Sequence, residues 1–182
     1  MALTVTPGGA SDDALITLAD FQSYCASMGH DLTDYTDTQQ EQAIRGGTIW
    51  VEGVGAISDR LPTRWPGVKA SATQRRVWPR AGATEVDGTA IAVDTIPAAV
   101  QEAVAEAAFY DLGNPGVLHA QITPAEAIKQ EKIGPLSTTY HDPQAAGDLR
   151  AMLTVVDDLL SAILIPDLKG PGLYLQSIGK NT

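Results

Sequence analysis

Arg60, Arg64, Lys69, Arg75, Arg76 and Arg80 fall within one stretch that contains no Asp or Glu, and Trp65 and Trp78 lie among them. Cationic side chains interleaved with indoles can do two kinds of work. They can neutralise phosphates while the rings stack on bases, or they can anchor a loop and bridge to a neighbouring protein by cation–π and ionic contacts. This stretch holds half of the 12 Lys and Arg residues, and the whole chain has a formal net charge of −10. Phosphate binding needs a positive surface. The balance therefore favours contact with a protein subunit over lining of a DNA channel, with purely internal packing as a third reading.

Other chemistry is thinly represented. His30, His119 and His141 are scattered without a second ligand at metal-binding spacing. Cys25 shares an apolar helix face with Phe21 and Met28, where an unreactive buried thiol is expected. Gly53 and Gly55 in GVGAIS imitate part of a dinucleotide fingerprint, but they follow a helix rather than a strand. Neither GxSxG nor a phosphate loop ending in GK[ST] occurs. The paired acids Asp12 and Asp13, and Asp157 and Asp158, read as solvated. No catalytic residue, metal or cofactor is expected, and the chain is not expected to be an enzyme.

The elements that must position the basic stretch are mostly helical. Thr17 with Asp20 forms a capping signature, and Leu18, Phe21, Tyr24, Cys25 and Met28 recur at helical spacing until Gly29. Thr38 with Glu41 predicts the start of a second helix running through Ile44, Trp50, Val51 and Val54. Its interior Gly46 and Gly47 imply a kink or the close approach of another backbone. Residues 58–95 lack a sustained period and contain prolines and glycines, so they read as a long structured loop anchored by Trp65, Val77 and Trp78.

Pro97 is expected as the first residue of a third helix, with Val100, Val104, Ala107, Ala108 and Leu112 as its apolar stripe and Gly113 as its end. Ile133 to Tyr140 is expected to be extended and to pair as an edge strand. Asp142 and Pro143 should open a fourth helix, with Leu149, Met152, Leu153, Val156, Leu159, Leu160 and Ile163 on its apolar face, ending at Pro166.

These elements predict a mainly α fold. It is a small bundle of about four helices with a long structured loop, a short β-strand or hairpin element and extended N- and C-terminal arms. Residues 1–165 form a single domain, including an N-terminal arm at 1–14 that needs a partner to become ordered, and residues 166–182 form the C-terminal arm. Aromatic residues are only 5% of the chain, so the core must come from Val, Ile, Leu and Ala and will be modest. The single cysteine excludes an intrachain disulfide. No stretch approaches the roughly 20 apolar residues of a membrane span, and the N-terminus lacks the pattern of a signal peptide. A soluble protein that is not secreted and does not engage a membrane is expected.

Several ordered blocks resemble a family of tailed-phage proteins labelled DnaT-like single-stranded-DNA-binding proteins. The blocks are MALTVTPG with the helix ITLADFQSYCASMG, then VWPRAGATEVDG with Trp78, Pro79 and Arg80, then IPAAVQEAVAEAA, and last EKIGPLSTTYHD with Gly134, Pro135 and Tyr140. Together they span most of the chain to about residue 164. The resemblance implies a small helical adaptor similar to phage head-completion or head-tail connector proteins, assembled as a ring of about twelve subunits beneath the portal. Its implied partners are further copies of itself, the portal protein, a tail or head-closure protein and packaged DNA. Its implied place is the virion neck, reached from the host cytoplasm during assembly. The alternative is a single-stranded-DNA-binding accessory protein. In either case Arg60, Arg64, Trp65, Lys69, Arg75, Arg76, Trp78 and Arg80 are the candidate interaction residues.

Overall fold

The computed structural model describes residues 2–56, 63–119, 130–133, 136–139 and 153–166. Of 130–133 and 136–139 it describes the backbone. Helix α1 spans Leu18–Met28 and is capped as the sequence implies. The Thr17 hydroxyl accepts from the Asp20 amide at 3.1 Å, and the Asp20 carboxylate accepts from the Thr17 amide at 3.2 Å. Gly29 ends the helix in the left-handed region at φ 75°, a conformation that costs glycine nothing sterically.

Helix α2, Asp37–Ala56, begins earlier than the Thr38–Glu41 signature suggests. The capping pair is Thr36 with Gln39: the Gln39 carboxamide accepts from the Thr36 amide at 2.9 Å, and the Thr36 hydroxyl accepts from the Gln39 amide at 3.4 Å. The earlier start has a tertiary cause. Gln40 is buried, donates to the Tyr35 carbonyl and accepts from Gln22 of α1.

Helix α3, Ala98–Gly113, is the central element, packed against α2 along its length and against α1. Pro97 is its N-cap rather than its first helical residue, with ψ at 144°. Gly113 lies within the last turn, and Asn114 closes it. Val100, Ala103, Val104, Ala107 and Ala108 are buried, so a stripe of small residues lets the two helix backbones approach closely. The backbones come close at Gly47. A Cβ there would lie 2.8 Å from the Ala108 nitrogen and 2.9 Å from the Val104 oxygen.

Between α2 and α3 the long loop holds strands β1, Val68–Lys69, and β2, Arg80–Ala81, paired antiparallel with Val68 opposite Ala81. The short β-strand or hairpin element expected near Ile133 is a hairpin, β3 at Gln130–Ile133 with β4 at Leu136–Thr139. Helix α4, Thr154–Leu160, packs on α3 through Val156 and Leu160, and turns follow that bury Ile163 and Leu164. It is shorter than expected among the described residues. The Asp142–Pro143 start lies outside them, as does the C-terminal arm from 167 onward. The fold is thus mainly helical, with four helices and two small antiparallel strand pairs among the described residues.

The N-terminal arm is extended as expected, but it is held by its own chain rather than awaiting a partner. Asp12 and Ala14 are buried, the Asp12 and Gly9 carbonyls accept from the Arg76 side chain and the Arg75 amide, and the Asp13 amide donates to the Thr4 carbonyl.

Substitution at the two adjacent glycines of α2 separates close packing from helix weakness. Gly47→Ala is expected to cost about 1–3 kcal/mol, because backbone cannot move aside as a side chain can. Gly46→Ala is expected to be neutral or to stabilise by up to ~1 kcal/mol, since its new Cβ would meet only the ends of Asp111 and His119 side chains at 3.3 and 3.4 Å. Urea denaturation of both variants reads the difference.

Candidate functional site

In a chain poor in aromatics, the indoles of the basic loop are too large an apolar area to leave in water. Trp65 and Trp78 are 2% and 0% exposed and meet edge to face, with centroids 6.0 Å apart at 87°. The Trp65 indole N–H donates to the Glu52 carbonyl of α2 at 3.1 Å. Gly55 makes this possible, because any Cβ there would overlap the Trp65 indole. Both rings are therefore core. Neither offers a face on which a base or a partner could stack.

Two of the arginines follow the indoles inward. Arg76 is buried, its Nη1 3.2 Å from a Glu52 carboxylate oxygen and its Nε donating to the Asp12 carbonyl at 3.1 Å. The other Glu52 oxygen accepts from the Val77 amide at 2.9 Å. Arg80 is also buried and has backbone carbonyls for partners: Pro66, Val77 at 3.2 Å and Gly67 at 2.7 Å. Burial lowers its pKa, and the three carbonyls replace the water that the guanidinium has lost.

The remaining cations sit outward. Arg75 is half exposed and pairs with Asp13 at 2.9 Å, while its amide donates to the Gly9 carbonyl. Lys69 is exposed and folds back onto the Gln74 and Arg75 carbonyls. Arg64 donates through Nε to the Ile165 carbonyl, and the Ile165 amide returns a bond to the Arg64 carbonyl. Arg60 lies outside the described residues. Of the eight candidate residues, the structure thus turns Trp65, Trp78, Arg76 and Arg80 inward and leaves Arg64, Lys69 and Arg75 near the surface.

Sequence reasoning missed the acids that complete this arrangement. Asp12, expected to be solvated, is 3% exposed and closes the arm's turn by accepting from the Thr6 and Gly9 amides at 2.7 and 2.9 Å. Asp13 is shared between Arg75 and Arg45. Glu52 carried a readable signal, since it is the one charge in the apolar run IWVEGVGA and such a residue needs a buried partner.

A second cluster lies between α1 and α3. His30 stacks on Phe109 with centroids 4.0 Å apart, and its Nε2 lies within hydrogen-bond distance of a Glu106 oxygen at 3.1 Å. The same oxygen accepts from the Tyr24 hydroxyl at 2.8 Å. Burial, then the hydrogen bond to Glu106, raises the Tyr24 hydroxyl well above its ordinary value. Burial, with Glu106 adding, pushes the Cys25 thiol from 9.0 up to about 11. Among the described residues no group of three or more His, Cys, Asp or Glu could hold a metal ion, and no helix is long and apolar enough to cross a membrane.

Two outcomes test this picture. Glu52→Ala leaves Arg76 buried without its counter-charge and is expected to cost about 3–5 kcal/mol, whereas Arg75→Ala on the surface should cost less than ~1 kcal/mol; chemical denaturation distinguishes them. The folded chain also keeps the Cys25 proton at a pH where the unfolded chain releases it. Its contribution is therefore intact below pH 9.0 and lost as pH rises toward about 11. Urea midpoints should fall across that window, and less steeply in Cys25→Ala.

Comparison with known proteins bears on the whole arrangement. No curated protein and no solved structure matches the chain. One family model does match, described as "Putative DnaT-like ssDNA binding protein", and it covers residues 1–177. That span takes in the arm, the clamped loop and all four helices, and the chain belongs to this family.

Proposed function

We propose that this protein is a virion structural protein of a tailed phage, a head-to-tail adaptor subunit. It assembles as a ring of about twelve copies on the portal and links it to the tail or to head-closure proteins around the DNA channel. The observation that carries this reading is the fate of the basic loop. Its indoles and two of its arginines are consumed in clamping the chain to itself, so the loop lacks the exposed aromatic platform with which single-stranded DNA is bound. What it exposes instead is aliphatic: Val68 is 66% exposed, with Val86 and Val93 also more than half exposed. Exposed aliphatic groups on a loop that also exposes Lys69 and Arg75 suit a protein partner. The chain acts by contact and not by catalysis, in the neck of the virion after assembly in the host cytoplasm.

A second reading, single-stranded-DNA binding, is favoured by the family's description. Among the described residues it would rest chiefly on Lys69 and Arg75, the exposed cations of the loop, and a net charge of −10 opposes it.

Electron microscopy of the protein mixed with the portal ring of its own phage tests the two together with a DNA titration. The expected result is an added cyclic layer on one end of the portal, with little single-stranded-DNA binding at physiological salt. Bare portals, together with DNA binding that falls steeply with salt and is lost in the Lys69→Ala, Arg75→Ala double variant, would replace the adaptor reading with the second.

A further inference from the structure

A groove beside α3 contains two adjoining hollows, the first against α1 and the second between the end of α3, His30 and the start of α4. The first, about 110 Å³, is lined by Ile16, Asp20, Tyr24, Ala98, Glu102 and Ala105 among others. The second, about 260 Å³, has His30 and Glu106 beside Phe109, Leu153 and Val155. Tyr24 joins them, since it lines the first and its hydroxyl is bonded to Glu106 of the second. Each hollow therefore combines aliphatic or aromatic wall with carboxylate, and among the described residues neither is lined by a Lys or Arg.

The carboxylates are not used up within the chain. Glu102 has no hydrogen-bond or ion-pair partner among the described residues, and both bonds to Glu106 fall on one oxygen, leaving the other to accept. Glu106 is held in place by Tyr24 and His30, so its position does not have to be fixed when a cation arrives. A wall of stacked His30 and Phe109 beside it suits a cation carried on a hydrocarbon stem.

We propose that this groove receives the basic loop of a second copy of the chain, with Lys69 and Arg75 of one subunit against Glu102 and Glu106 of the next. The choice of occupant rests on charge complementarity. Among the described residues Lys69 and Arg75 are the exposed cations of the loop, bonded to carbonyls and to Asp13, and Val68 next to Lys69 in the chain is exposed to fill apolar wall. The loop and the groove are different surfaces, so the contact is head-to-tail and can propagate around a ring. The inference rests on the adaptor reading above and specifies which surfaces close the ring.

Sedimentation velocity of the full chain, and electron microscopy on the portal, test it with four variants. Glu102→Lys and Lys69→Glu are each expected to weaken self-association by roughly tenfold or more, and the double variant, which restores opposite charges across the contact, should recover most of the loss. Asp34→Lys, an exposed acid outside the groove, should change nothing. Thermal melts matching the parent exclude misfolding as the cause. Rings that form on the portal equally well in every variant would overturn this contact while leaving the adaptor reading intact. Loss of portal binding in Glu102→Lys with self-association unchanged would overturn it too, placing the portal in the groove. A parent chain that neither self-associates nor adds a layer to the portal would overturn both.

Discussion

Glu52 is a carboxylate inserted into the apolar end of a helix, and its cost in water lost must be met by partners. It meets this by accepting from Arg76 and from the Val77 amide, while its own carbonyl takes the Trp65 indole N–H. Arg76 then reaches on to the Asp12 carbonyl, so a single buried charge pair joins the end of α2 to the loop and to the N-terminal arm. An ion pair of this kind adds little net stability relative to apolar packing, but it is specific, because leaving either member alone is strongly unfavourable. The long loop is thereby given one position rather than an ensemble of collapsed ones.

The same loop reaches the C-terminal side of the domain. Arg64 and Ile165 exchange bonds, and the Val86 amide donates to the Ala162 carbonyl behind α4. Arm, α2 and the segment after α4 are thus gathered on one irregular stretch, whose indoles join the same buried cluster as the α2–α3 interface. This explains how a chain with 5% aromatic residues folds around helices faced largely with alanine and valine. The two indoles, meeting edge to face against the bare backbone of Gly55, supply volume that the helices lack.

Burying Arg76 and Arg80 also redistributes charge. A stretch that looks uniformly cationic in sequence delivers only part of its charge to the surface, and Asp13 partly neutralises Arg75 there. Electrostatic steering toward a polyanion is weakened accordingly, whereas local complementarity between a few exposed cations and an acidic groove survives. Such short-range complementarity sets register between protein surfaces.

Periodicity and capping chemistry are local properties, and the sequence alone determined what depends on them: a mainly helical fold, the start of α1 at Thr17 and the apolar stripe of α3. It also marked residues 58–95 as an anchored loop and grouped the cations and indoles within it. The direction in which those side chains point depends on partners far away in the chain, and only the tertiary structure decided it. Arg76 and Arg75 are neighbours, yet one is buried against Glu52 and Asp12 and the other stays half exposed. Cap choice at α2 was decided the same way, by the burial of Gln40 against α1. Composition could group the charges, but whether a charge serves the interior or the surface is set by which counter-charge the fold carries to it.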